Sequence, residues 1–127
     1  MDQPIWDLPI WSDGYRIGDD AIDCCHRDML TGLAAIDGAI RELDYARAER
    51  LIEALADASS IHAQSEDECF VGADHGFPHE TIDEQIGALR SHVRRRTAPE
   101  GVVGMIGALG RTMLSDIHAD RVELGRV

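Results

Sequence analysis

His62 and Glu66 stand four residues apart in a stretch whose apolar residues keep a helical period. At 3.6 residues per turn their side chains lie one above the other on a single face. An imidazole stacked on a carboxylate is half of a metal site, or an ordinary buried hydrogen bond. Residues of matching chemistry recur elsewhere: His26 on an earlier apolar stripe, and His118 with Glu123 five residues on. Several imidazoles and two carboxylates turned into one core are costly to bury unless they hold a cation or satisfy one another. Mixed imidazole and carboxylate donors suit iron, manganese or zinc. Ser59 and Ser65 near His62 have no evident orienting acid, so hydrolysis is set aside. Cys25 and Cys69, close in sequence to His26 and Glu66, read as small core residues.

The elements that must position these residues are helices. Ile22, Met29, Leu33, Ile36 and Ile40 recur at helical spacing, with Asp19 or Asp20 available as a cap. Asp44 and Tyr45 mark a turn, and Ala48, Leu51, Leu55, Ser59, His62, Glu66 and Cys69 carry a second stripe to about Val71. The breaker-rich run from Gly72 to Pro78 predicts a loop, after which Ile82, Ile86, Leu89 and Val93 form a third stripe. Beyond a turn at Thr97 to Pro99, Val102, Ile106, Leu109, Met113 and Ile117 form a fourth. At about 100° per residue, His118 lies roughly 140° from the centre of that stripe. Gly101, Gly104, Gly107 and Gly110 sit inside the fourth helix, which implies close helix packing or room for a ligand.

The expectation is therefore an all-α chain, an antiparallel up-down four-helix bundle preceded by an irregular N-terminal arm. Its 127 residues suit one domain, with the arm over residues 1–19, bearing Trp6 and Trp11, and the bundle over 20–125. A formal charge of -12 disfavours nucleic acid and anionic membranes as partners. The one basic cluster, Arg90, Arg94, Arg95 and Arg96, reads as a solvated helix end. The absence of a signal-like start or a long apolar run predicts a cytoplasmic protein, and the odd total of three cysteines fits a reducing compartment.

From Trp11 to Glu123 the sequence resembles the hemerythrins, oxygen-binding four-helix bundles with a carboxylate-bridged di-iron centre. The resemblance rests on Trp11 leading to Ile17 and Gly18, and on Ile22, Asp23 and His26, which match the family's Ile-Asp-x-x-His signature. It rests also on His62 with Glu66, and on His118 with an acid five residues later. It implies that His26, His62 and His118 are terminal metal ligands, Glu66 and Glu123 bridging carboxylates, and Asp23 a hydrogen-bond partner behind the ligands. It also implies that His118 turns inward.

The third helix departs from the family, which carries a His-x-x-x-His pair there. Registered by its hydrophobic stripe, this chain has Ile82 and Ile86 at those positions; counted from Phe77 and Pro78, it has Asp83 and Gly87. His79 and Asp83 are the substitutes helix 3 can offer. Ala63 and Leu114 replace two aromatic residues of the family's pocket. The resemblance therefore implies an altered or reduced centre, holding one or two iron ions or none, that binds or senses oxygen or a related small diatomic ligand. Two other readings stay open: a metal-free interaction or sensor module, acting as a homodimer or on a signalling partner, and an oxygen- or peroxide-consuming metalloenzyme. An enzyme is the less favoured of these.

Overall fold

Asp19 starts the first helix. Its carboxylate accepts from the Ile22 backbone N–H at 3.0 Å, satisfying one of the donors that a helix N-terminus leaves without an intrahelical partner. The structure is a computed structural model and describes residues 11–69 and 76–124, apart from the side chains at positions 67, 69, 76–78, 123 and 124. It consists of α1 (Asp20–Arg41), α2 (Tyr45–Cys69), α3 (Gly76–Arg94) and α4 (Pro99–Leu124), preceded by a single 3-10 turn at Asp13–Tyr15. The chain is all-α, with no strand among the described residues. Each helix packs on the next and α4 closes on α1, making a four-helix bundle.

The connections stop the helices by backbone geometry. After α1, Leu43 takes φ 60°, its N–H bonds back to Ile40 O, and the Asp44 N–H bonds to Ala39 O. Arg96 does the same after α3, at φ 57°, with Thr97 N–H reaching His92 O. Both are Schellman closures built on non-glycine residues in the left-handed region. Pro99 opens α4 at the first helical position, where a missing N–H costs nothing.

Two boundaries differ from expectation. Tyr45, expected in a turn, opens α2, because the Asp44 carboxylate caps that helix through the Arg47 N–H at 3.1 Å. Gly76 to Pro78, expected in a loop, form the first turn of α3, where proline is tolerated since that N–H has no intrahelical acceptor. Of the arm, Trp6 lies outside the described residues. Trp11, Tyr15 and Ile17 pack against the bundle, and Arg121 of α4 donates to the Gly14 carbonyl.

The stripes read from the sequence form the core. Leu33, Ile36 and Ile40 of α1 meet Ile52 and Leu55 of α2, Ile82, Ile86, Leu89 and Val93 of α3, and Val102, Ile106, Leu109, Met113 and Ile117 of α4. The arginine cluster does more than solvate a helix end. Arg90 makes a two-pronged pair with Glu53 of α2 at 2.8 and 3.1 Å, and Arg96 reaches Glu49 at 3.2 Å. No helix among the described residues is long and apolar enough to cross a membrane.

Candidate metal centre

Alternating helix direction brings the start of α1, the end of α2, the start of α3 and the end of α4 to one end of the bundle. His26, His62 with Glu66, His79, and Asp116 with Asp120 occupy those four segments. Five of the six are sealed from solvent, with exposures between 0 and 2 % for His26, His62, Glu66, Asp116 and Asp120. One ligand atom from each of these five lies within 4.8 Å of every other, an arrangement that could hold a metal ion.

The distances describe converging donors. His26 Nε2 lies 2.9 Å from His62 Nε2 and 2.9 Å from Asp120 Oδ2. His62 Nε2 is in close contact with Glu66 Oε2, 3.2 Å from Asp116 Oδ2 and 3.5 Å from Asp120 Oδ2. His26 Nε2 is 3.7 Å from Glu66 Oε2 and 4.0 Å from Asp116 Oδ2. Around an ion with bonds of about 2.1 Å, neighbouring octahedral ligands stand about 3.0 Å apart and opposite ones about 4.2 Å. Apart from the closer His62–Glu66 contact, the separations from the Nε2 atoms of His26 and His62 fall between 2.9 and 4.0 Å, near that range, so the donor set could hold a single ion.

Without an ion, the same residues satisfy one another incompletely. Two Nε2 atoms 2.9 Å apart have room for one proton between them. Burial pulls the His62 imidazole down, but hydrogen bonds to Asp120 and Glu66 overcome it and push the group up to about 10. Burial works the other way on Glu66 and is likewise overcome, here by hydrogen bonds from His26, His62 and His79, so its carboxyl falls below the usual range. Burial and the charge of Asp120 push Asp116 up to about 6. Asp116 Oδ1 and the Nδ1 atoms of both His26 and His62 are buried with no hydrogen-bond partner among the described residues. Three carboxylates packed against two imidazoles are costly to bury, and a cation where the Nε2 atoms and the inner carboxylate oxygens meet offsets that cost; the Nδ1 atoms and Asp116 Oδ1 lie outside its reach.

The structure sorts the residues singled out in the sequence. His26, His62 and Glu66 come together as a group, and His79 joins them, its Nε2 2.8 Å from Glu66 Oε1 and its ring 5.2 Å from that of His62. His118 does not join them: it is exposed, as its angle from the α4 stripe requires, and the inward turn implied by the family resemblance is corrected. Asp83 is exposed as well, while Ile82 and Ile86 are buried in the core. Helix 3 therefore offers the centre His79 and no other donor among its described side chains. The Glu123 side chain lies outside the described residues.

Asp23 is not the partner of a ligand histidine. Its carboxylate accepts from the Ile17 and Gly18 backbone N–H groups at 2.8 and 3.3 Å, fixing the arm to α1. Sequence reasoning missed Asp116 and Asp120. The signal was present, because they fall three residues after Met113 and Ile117 and four apart from each other, so they continue the inward face of α4. Cys25 is buried, and burial raises its thiol; Cys24 is exposed.

No protein-family model, curated protein or solved structure matches the chain.

Proposed function

We propose that this chain is a hemerythrin-like non-haem iron protein that binds or senses oxygen or a related small diatomic ligand through an altered, single-ion centre. The observation that carries this reading is the convergence of His26, His62, Glu66, Asp116 and Asp120 on one buried point at one end of a four-helix bundle. His26, His62 and Asp120 would hold the ion, with one oxygen from each of Glu66 and Asp116. Iron in such a mixed imidazole and carboxylate set supplies an exchangeable position and a redox couple for a small ligand. The chain's own part is to exclude bulk water, to fix the donors on α1, α2 and α4, and to bring two buried imidazoles within reach of three carboxylates.

Helix 3 supports the single-ion form. On one register the hemerythrin pattern's two imidazoles fall at Ile82 and Ile86, which are buried in the apolar core and cannot ligate; on the other they fall at Asp83, which is exposed, and Gly87, which has no donor side chain. Anaerobic reconstitution with ferrous iron followed by metal analysis tests the reading. The expected result is one iron per chain, with an absorption spectrum that changes on admitting oxygen and no binding by His62→Ala. Substoichiometric iron, manganese and zinc alike would overturn it in favour of a metal-free module. Two irons per chain would overturn the single-ion form.

A further inference from the structure

The six polar residues of the cluster are not equally sealed. His79 is 12 % exposed, while the other five lie between 0 and 2 %. His79 also covers the outer oxygens of the two carboxylates whose inner oxygens face the histidine pair. Its Nε2 is 2.8 Å from Glu66 Oε1 and 3.9 Å from Asp116 Oδ1, whereas Glu66 Oε2 and Asp116 Oδ2 lie against His62. The polar groups thus form a layered path from solvent to His79, to the outer carboxylate oxygens, to the inner donors. Farther along the same face of α3 stand Ile82 and Ile86, both buried and apolar, which offer a hydrated cation nothing.

The place of His79 in α3 bears on what it can do. It is the fourth residue of the helix, in the turn whose backbone N–H groups have no intrahelical acceptors, and such ends open at the lowest cost. The same end carries the positive pole of the helix dipole, which favours an anionic neighbour. It favours the contact observed, an Nε2–H donated to the Glu66 carboxylate.

We propose that His79 is the exchange gate of the metal centre, a positioning residue that closes over Glu66 and Asp116 behind a divalent first-row cation and sets how fast that ion leaves. The proposal rests on the reading of the cluster as a metal centre. With His79 in place the ion is shut in; with the side chain removed, the outer carboxylate oxygens open to water and to competing chelators.

The test uses the full chain loaded with zinc as probe, and follows release into excess chromogenic chelator by absorbance. His79→Ala is expected to keep one zinc per chain and to release it at least about tenfold faster, comparable to the effect of removing a partner of a metal ligand. His79→Gln, whose amide N–H can still donate to Glu66, is expected to restore a rate close to that of the unaltered chain. Asp83→Ala, at an exposed position one turn farther along α3, is expected to change nothing. Far-UV circular dichroism establishes that each variant keeps its helices. Equal release rates for the unaltered chain and His79→Ala would overturn the gate alone. Loss of zinc from His79→Ala would also overturn it, by making His79 a permanent ligand. A chain that takes up no zinc or iron would overturn the metal reading and the gate with it.

Discussion

Asp116 and His118 sit two residues apart on α4 and face opposite ways, and that difference decides which of them meets the other helices' donors. At about 100° per residue, a step of two carries a side chain more than half-way round the helix. Asp116 is buried beside His62, and His118 is exposed. Asp116→Asn keeps the shape and removes the charge, so it is expected to weaken metal binding by at least the roughly 10- to 100-fold that loss of an outer partner costs. His118→Ala is expected to leave affinity unchanged. Competition titration against a chelator of known affinity measures both, and the reverse ranking would put His118 back into the centre. His26, His62 and Glu66 were legible because each lies on its helix's apolar stripe. The acids of α4 were not, because His118 with Glu123 matches the family spacing, while Asp116 and Asp120 look like ordinary surface acids until the stripe is continued past Ile117.

At the scale of elements, the fold was legible almost entirely from apolar periodicity, which is what buries one face of each helix. The stripes through Leu33, Leu55, Leu89 and Leu109 are the observed core. Helix ends were less legible, since Leu43 and Arg96 take left-handed backbone geometry without the glycine that usually announces it. The glycines of α4 were expected to serve close packing or a ligand. Gly104 is exposed, and a Cβ there would meet nothing within 4 Å; at Gly101 it would meet only the Thr97 methyl carbon at 3.5 Å. Within one chain Gly104 therefore carries only the cost of backbone freedom. Gly104→Ala is expected to stabilise the bundle by about 1 kcal/mol, read as a higher midpoint in urea with an unchanged slope. A lower midpoint would point instead to a second copy packed against this face of α4.

For the molecule as a whole, charge couples the fold to the ion. The chain carries a formal charge of -12, and three carboxylates of the centre are buried, so protons or a cation must balance them. In the metal-free chain, protons shared among the imidazoles do so, one of them between His26 and His62, whose Nε2 atoms stand 2.9 Å apart. His62 is raised from 6.5 to about 10, and His26 and His79 are raised too; for His26 burial opposes the shift and the Asp120 hydrogen bond drives it, whereas for His79 the Glu66 hydrogen bond is the leading cause. A histidine held above its unfolded value contributes stability that is complete below about pH 6.5 and is lost as pH rises toward 10. The lowered Glu66 contributes fully above about pH 4.5; Asp116, raised by burial to about 6, and Asp120, raised by burial too, cost more as they ionise, which adds to the loss rather than opposing it. Across that window the metal-free chain is therefore expected to lose thermal stability. Metal binding has the opposite dependence, because the ion displaces those protons and its apparent affinity rises by about tenfold per pH unit for each proton released. At a hundredfold excess over Kd the ion adds about 2.7 kcal/mol, or roughly 10 °C in Tm for a chain of this size. Paired thermal melts with and without zinc at pH 6.5 and 8.5 should show the metal-free Tm falling and the zinc increment growing. A metal-free Tm that is flat across the window, with a constant increment, would mean that the buried histidines are neutral and that protons do not hold the ion's place.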